Sequence, residues 1–257
     1  MRRLIGLFIV FLSTSAYAHE VQLITQHIKL NRQNDSAWQS DFLAKAVLSP
    51  KWEAGLQGTY LERFNLYENR AGAFVVYHPL QNLTLEARYL KGKSGVEILA
   101  KDQYSLGLYH ALSEGISPFL IYQNSLYTIT HLQSMRLGVE IEKIRHLLII
   151  PQLMMGHAQF KNPGEAKELN SLGLKITYYE EQNYSFSVYG YKGLEAAQSI
   201  IRRSSQTIGT KSVGASVSYY FFQDVKSEFL FDYTDYTDLG KLDNQFLTST
   251  INLVWTF

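Results

Sequence analysis

The chain has 257 residues, with 24 basic and 23 acidic side chains and no cysteine. This balance gives no electrostatic basis for binding nucleic acid, which requires clustered basic groups. The lack of cysteine argues against a small secreted fold held together by disulfides. Beyond the first twenty residues, no stretch approaches the ~20 apolar residues that a transmembrane helix needs.

The first eighteen residues have the three parts of a secretory signal peptide: a basic start, a short apolar run and a small-residue Ala-Tyr-Ala site. We expect cleavage after Ala18. The mature chain, residues 19–257, then has 22 basic and 23 acidic side chains, because residues 1–18 contain two arginines. A buried N-terminal helix or a membrane anchor is the alternative, but the apolar run is too short to span a bilayer comfortably.

The rest of the chain alternates between apolar and polar residues with a period of two, which indicates β-strands. In SVGASVSYY, for example, Val213 and Val217 alternate with Ser212 and Ser216. A soluble sandwich with its apolar face inward would show the same alternation, so this pattern alone leaves the architecture open. The segments that we predict as strands are 20–32, 38–48, 53–65, 70–78, 83–91, 103–112, 117–127, 133–143, 147–160, 169–179, 184–193, 209–220, 225–236 and 244–257.

The connections between these strands favour a membrane barrel. Every second connection is tight, as in SPKW, PLQN and EEQN, and most of the others are longer, as in GKSGVEILAK and LEAAQSIIRRSSQTI. Short turns at one end and longer loops at the other are typical of outer-membrane barrels. We therefore predict one all-β domain, a single up-and-down antiparallel transmembrane β-barrel of about 14 strands (12–16). The first strand should pair with the last, because hydrocarbon contains no water to satisfy an open sheet edge.

Aromatic residues lie near the ends of the predicted strands, as expected for the aromatic girdles of a membrane barrel. The alternative is that aromatic residues simply favour strands. The residues in question are Tyr77, Tyr89, Tyr178, Tyr184, Tyr219 and Trp255.

The last segment, TSTINLVWTF, places Ile251, Leu253, Trp255 and Phe257 on one face of a strand. A terminal aromatic on such a strand resembles the signal by which outer-membrane barrels are recognised for assembly. We interpret Trp255 and Phe257 as this assembly signal, with the barrel assembly machinery as the partner.

If the apolar faces contact lipid, the polar faces line the lumen. Both signs of charge are present there, which suits either a salt-bridge lattice that fills the lumen or a wet, weakly selective channel. Tyr179, Tyr189 and Tyr191 on the same faces would also suit a carbohydrate path. The charged residues that we predict to line the lumen are Asp41, Lys45, Glu86, Arg88, Arg136, Glu140, Glu142, Lys175, Lys226, Glu228 and Asp232.

No motif nominates a catalytic, cofactor-binding or metal-binding residue. The seven histidines are scattered and form no pattern of metal ligands, and no nucleophile elbow is present. We therefore predict a protein that is not an enzyme and has no cofactor. Arg202 and Arg203, in the longest predicted loop, could contact the phosphates of lipopolysaccharide or an anionic polymer, although exposed arginines are usually only solvated.

Several hairpins resemble the YaiO-type outer-membrane β-barrel family. The resemblance covers roughly residues 40–257 and rests on segments such as SPKWEAGLQGTYLERF, YHPLQNLTLEARYLKG and the closing INLVWTF. It implies a location in the outer membrane of a Gram-negative bacterium and an association with surface or exported polysaccharide. It supplies no catalytic residues.

The sequence thus favours a channel or export conduit in the cell outer membrane, in contact with membrane lipid and lipopolysaccharide. Two alternatives stay open: an outer-membrane enzyme that modifies lipid or sugar, and a structural or adhesive barrel with a closed lumen.

Overall fold

The computed structural model is a closed barrel in which each of 14 strands pairs antiparallel with its two neighbours. It describes residues 19–30, 36–63, 66–93, 100–128, 130–160, 166–180, 183–196, 207–222, 224–238 and 244–256. The strands are β1 (His19–Leu30), β2 (Ser36–Ser49), β3 (Trp52–Arg63), β4 (Leu66–Leu80), β5 (Leu83–Lys93), β6 (Asp102–His110), β7 (Ile116–Leu126), β8 (Thr130–Ile144), β9 (Leu147–Phe160), β10 (Ala166–Glu180), β11 (Tyr184–Ala196), β12 (Thr207–Phe222), β13 (Val225–Asp238) and β14 (Asn244–Thr256). The described residues include no helix that is long and apolar enough to cross a membrane.

This architecture confirms the predicted fold. The strands follow sequence order around the barrel, and β1 closes the circle by pairing with β14 from Glu20↔Thr256 to Leu30↔Phe246. Each predicted strand overlaps one observed strand, and the ends differ by at most four residues. The largest difference is at β4, which begins at Leu66 because its pairing with β3 continues up to Arg63. The predicted signal peptide, including Ala18, lies outside the described residues, as do Arg202, Arg203 and Phe257.

Six short connections, from β2–β3 to β12–β13, lie at one end of the barrel, which we call the short-turn end. We call the other end the long-loop end, although β3 and β4 are joined there by only two residues. In the β8–β9 turn, His146 has a φ of 62°, and the register with β9 shifts by one residue between Ile141 and Ile144, as in a hairpin that closes with a left-handed residue and a β-bulge. In the β6–β7 turn, Gly115 has a φ of 73°, and a Cβ there would come within 2.8 Å of the carbonyl oxygen of Glu142. Backbone geometry therefore reverses the chain within a few residues at this end.

The two faces of the sheet have the reverse of the polarity found in a soluble protein. On β12, Ser212 and Ser216 are 6% and 5% exposed, whereas Val213 and Val217 are 60% and 47% exposed. The same pattern recurs around the barrel, with exposed leucine, valine and aromatic side chains on the outer face. An apolar outer surface excludes the soluble sandwich and suits contact with lipid.

Aromatic pairs lie on the outer face towards both ends of the strands. At the short-turn end, the rings of Trp52 and Tyr77 stack with centroids 4.2 Å apart. Towards the long-loop end, Tyr89 lies against Tyr104, with centroids 4.9 Å apart. This placement matches two aromatic girdles at the edges of an apolar band.

The reversed polarity predicts that substitution by arginine lowers stability to different extents at two adjacent residues of β9. Leu153 is 39% exposed on the outer face between Leu137 and Leu172, whereas Gln152 faces the lumen. In lipid vesicles, Leu153→Arg should lower the free energy of unfolding by about 2–4 kcal/mol, since a charge is placed in hydrocarbon. Gln152→Arg should cost much less.

The measurement is urea unfolding, with the folded fraction read from the faster gel migration of the unboiled barrel. Equal losses in the two variants, or no heat-dependent migration in the parent protein, would contradict the assignment of the faces.

Candidate functional site in the barrel lumen

Side-chain contacts that skip a strand identify the concave inner face. Arg88 on β5 donates from Nη1 to Gln57 Oε1 on β3 at 2.7 Å, so this bond passes over β4. Arg70 on β4 donates from Nη1 to Gln103 Oε1 on β6 at 2.6 Å, passing over β5. Such contacts require side chains that converge, which happens only on the inside of a closed sheet. The inner face is therefore cross-linked by polar groups.

At the short-turn end, a chain of polar contacts connects the first five strands. Lys45 Nζ lies 3.3 Å from carboxylate oxygens of both Glu20 and Glu53. Glu53 Oε1 lies 3.4 Å from His78 Nε2, and His78 Nδ1 lies 3.0 Å from Thr84 Oγ1. The ammonium group on β2 thus holds together carboxylates of β1 and β3, the strands on either side, whose like charges alone would repel each other.

Two arginines of the inner wall are fixed in different ways, Arg88 in the middle of β5 and Arg70 near the long-loop end of β4. Arg88 binds Glu86 through Nε and Nη2, at 3.1 and 2.7 Å, and lies 5.3 Å from the centroid of the Phe74 ring. Arg70 donates from Nε to Thr59 Oγ1 at 3.1 Å, and Thr59 donates to Asp41 Oδ1 at 2.6 Å. Multiple partners limit the side-chain freedom of both guanidinium groups.

On the opposite wall, Asp232 of β13 is held by hydroxyl groups. It accepts hydrogen bonds from Tyr189 Oη at 2.7 Å, Ser212 Oγ at 2.7 Å and Thr234 Oγ1 at 2.6 Å. The bond from Tyr189 passes over β12, where a Cβ on Gly214 would clash with the tyrosine ring. Glycine at this position therefore lets the ring lie flat on the wall and reach the carboxylate.

The balance of basic and acidic groups differs around the wall. Asp232 and Glu228 on β13 make no ion pair within the described part of the chain. The wall between β4 and β10 carries both signs: four basic side chains (Arg70, Arg88, Arg136 and Lys175) and the acidic side chains of Glu86, Glu140 and Glu142 face the lumen there. A charged solute in the lumen would therefore meet different fields on the two sides.

Near the long-loop end, apolar side chains pack closely on the inner face, beside buried polar groups such as Glu68 and Ser125. Seven apolar side chains, each within four residues of the long-loop end of its strand, are at most 8% exposed. We call this set the apolar collar: Ala37, Leu61, Leu90, Leu132, Ala158, Leu169 and Phe246. Tyr127 and Phe160 pack against its β8–β10 part. Burial raises the pKa of Tyr127 to about 12, so this phenol is uncharged at neutral pH.

The register places all the predicted lumen residues on the inner face, but it brings only some together. Glu86 and Arg88 form an ion pair at 2.7 Å, and Tyr179 donates a hydrogen bond to Glu142. Arg136 makes no ion pair among the described contacts. Trp255 lies on the outer face, next to Val21 of β1 and Val225 of β13.

Sequence reasoning missed Arg70, Glu53 and the apolar collar. Arg70 is the first residue of the predicted strand 70–78 and shares the parity of Phe74, but both faces of this segment carry apolar residues, so its alternation did not mark the lumen face. The collar carries no such signal, because its leucines occupy positions where the alternation predicts polar residues. Among the described residues, no group of three or more His, Asp or Glu side chains could hold a metal ion.

The sequence matches no protein-family profile and no curated protein. Among solved structures, the CymD monoaromatic hydrocarbon channel superposes with a TM-score of 0.64 at 11% identity, covering 95% of this chain and 89% of that chain. A bacterial polysaccharide outer membrane secretin gives 0.60 at 9% identity, covering 95% and 100%. The anion-selective porin from Comamonas acidovorans gives 0.53 at 7% identity, covering 94% and 99%. The chain therefore has the fold of outer-membrane β-barrels; at these identities the similarity concerns the fold alone.

The contacts of Lys45 predict a loss of stability when its charge is removed. Lys45→Gln leaves Glu20 and Glu53 facing each other without the ammonium group that both contact at 3.3 Å. We expect the free energy of unfolding to fall by roughly 1 kcal/mol, with a larger loss at low salt. Lys175→Gln is the matched control, because Lys175 makes no ion pair in the described structure. Urea unfolding at two salt concentrations is the measurement, and equal losses for both variants would refute the bridging role.

Proposed function

We propose that this chain forms a water-filled channel across the outer membrane and serves as an export conduit. The observation that carries the proposal is the partial exposure of charged side chains inside a closed barrel. Glu20, Lys45, Glu53, Glu86 and Arg88 all face the lumen, yet their side chains are 22–32% exposed. A charged side chain inside a barrel needs water or an ion-pair partner, and these five side chains have both partial exposure and a partner. Location in the outer membrane is supported by the apolar outer face, the fold and the predicted signal peptide.

The space inside the barrel supports the same proposal. One cavity of about 440 Å³ lies at the short-turn end, beside Glu140 and Glu142. A second, of about 400 Å³, lies in the middle of the wall formed by β1, β11, β13 and β14. Both are bounded by polar side chains and are large enough for many waters.

We assign the apolar collar the role of a gate. The leucine and phenylalanine side chains of the collar disfavour a continuous column of water and can close a channel by dewetting. The collar lies beyond the wet, charged middle of the lumen, on the long-loop side. The conduit would then be wet from the short-turn end as far as the collar, and opening would require the collar to hydrate.

For the transported material we propose polysaccharide, and for the family the YaiO-type barrels. Support comes from the resemblance of the hairpins, from the likeness in fold to a polysaccharide secretin, and from tyrosines on the inner wall. A non-enzymatic role follows from the channel proposal. We also propose that Trp255, with Phe257 beyond the described residues, is recognised by the barrel assembly machinery, and that lipopolysaccharide surrounds the long-loop end.

The channel proposal predicts discrete conductance steps when the purified protein is inserted into planar lipid bilayers. Ions should pass because the charged lumen is hydrated as far as the collar. Silent bilayers, with insertion verified by protease protection, would contradict the channel and favour a structural barrel. Changed lipid A or phospholipid profiles in cells that lack the protein would favour the enzyme alternative.

The gate predicts that a polar substitution in the collar increases conduction. Leu90 is 1% exposed in the collar, and Leu90→Ser should raise the fraction of time that the channel is open, because the narrow segment then binds water. Ile121→Ser is the control, since Ile121 also faces the lumen but lies on β7 opposite Arg136, below the collar. Similar changes in both variants, measured as single-channel open probability, would show that the collar is not the gate.

A further inference from the structure

The 400 Å³ cavity lies at the seam where β1 closes against β14. We call it the seam cleft. The lining residues used here are Gln26, Tyr189, Tyr191, Glu228, Asp232 and Asn252. It has two carboxylates, two phenol rings and two amides, and no basic side chain among the described residues that line it. The cleft differs from the surroundings of Glu20, Glu53 and Glu86, each of which lies within 3.3 Å of a lysine or arginine nitrogen.

The carboxylates of the seam cleft are held in place without a counter-charge. Asp232 accepts three hydrogen bonds from hydroxyl groups, which fix its orientation and leave room for about one more donor. Glu228 accepts from Asn252 Nδ2 at 3.3 Å. Hydroxyl and amide donors orient these carboxylates but leave the two negative charges uncompensated. A cationic ligand would complete the site.

The nearest basic groups of the inner wall do not fill this role. Lys226, two residues before Glu228 on the same face, lies with Nζ 5.7 Å from the centroid of the Tyr220 ring. Lys175 is the register neighbour of Tyr189 on β10, but it does not line the seam cleft.

The rings provide a flat surface beside the carboxylates. The Tyr189 ring lies against Gly214, so one face is covered by β12 and the other is turned towards the lumen. An aromatic face attracts a cation and also packs against the apolar face of a sugar ring. The amides of Gln26 and Asn252 can bond sugar hydroxyls. The hydroxyl of Thr250, which also lines the cleft, is buried and has no hydrogen-bond partner among the described residues, so the cleft retains unused polar capacity.

We propose that the seam cleft binds amine-bearing sugars, with the ammonium group at Asp232 and Glu228 and the sugar ring on Tyr189 and Tyr191. The proposal rests on the proposed channel function and deepens it, because it makes a cationic saccharide the preferred solute of the lumen. Neutral sugars of the same size should bind more weakly, since they leave both carboxylates without a counter-charge.

The test compares a trimer of glucosamine with a trimer of N-acetylglucosamine, which have the same backbone and differ in charge. Binding to the refolded full barrel is measured by titration calorimetry in detergent at about pH 6, where the sugar amines are protonated. Block of ion current by the same two sugars is measured in planar bilayers. We expect the glucosamine trimer to bind at least about tenfold more tightly, as a charge-assisted hydrogen bond provides, and to block the current at lower concentration.

Substitutions in the seam cleft test whether the preference for the glucosamine trimer arises there. Asp232→Asn and Glu228→Gln should each remove most of the preference for the glucosamine trimer. Tyr189→Phe should keep this preference, because both carboxylates remain, although Asp232 loses one of its three hydroxyl donors. Glu140→Gln is the matched control, because it removes one lumen carboxylate that lies outside the seam cleft. An undiminished preference in both Asp232→Asn and Glu228→Gln, with the barrel folded by gel migration, overturns the site.

The two proposals can fail separately. Normal conductance with equal binding of the two trimers overturns the amino-sugar site, whereas the channel proposal stands. Silent bilayers with a strong calorimetric preference overturn the channel and leave the site. The last measurement uses spermidine, a polyamine without a sugar ring. If spermidine binds as tightly as the glucosamine trimer, the proposed packing of the sugar on Tyr189 and Tyr191 is wrong.

Discussion

The structure depends on one constraint: in hydrocarbon, every backbone N–H and C=O group must find its partner within the sheet. The pairing of β1 with β14 meets this constraint, because it removes the two edges that an open sheet of the same strands would expose. Closure also determines which face of the sheet contacts lipid and which face lines the lumen. Once the sheet is a cylinder, the residues that alternate along each strand separate into an outer apolar surface and an inner polar surface, and the contacts of the lumen follow from their convergence.

The inner wall is built from three kinds of interaction at different depths. Ion pairs around Lys45 connect the first strands at the short-turn end, the hydrogen-bonded Arg88 occupies the middle, and apolar side chains pack near the long-loop end beside Arg70. The wall is therefore neither a uniform salt-bridge lattice nor a uniformly wet pore, the two interpretations that the sequence left open. The apolar collar and most of the charged residues occupy the same parity of the strands at different heights, so a channel and a closure can coexist in one lumen; Glu68 and Arg70 are charged residues at the height of the collar.

Much of the fold could be predicted from the sequence, because a period of two assigns each residue to a face without any knowledge of its neighbours. The alternation in β12 places Ser212 inside and Val213 outside, and the structure agrees. Side-chain contacts between different strands could not be predicted from the sequence. Tyr189 meets Asp232 only because Gly214 lies between them, and that depends on the register of three strands. The collar was missed for a similar reason, since the burial of Leu90 depends on its depth in a tilted barrel and not on its local pattern.

The seam between the first and last strands has a consequence for how the protein folds. Gln22 and Asn252, which are hydrogen-bonded across it at 3.0 Å, are 230 residues apart in the chain. Every other strand pair is a local hairpin, so these can form early, whereas the seam is a contact of extreme sequence separation and loop-closure entropy makes it slow. A nearly complete sheet with two unpaired edges would precede the finished barrel. During that interval the edge of β1 is a template for pairing with other chains, and a helper that covers it until β14 arrives would raise the yield of folded protein.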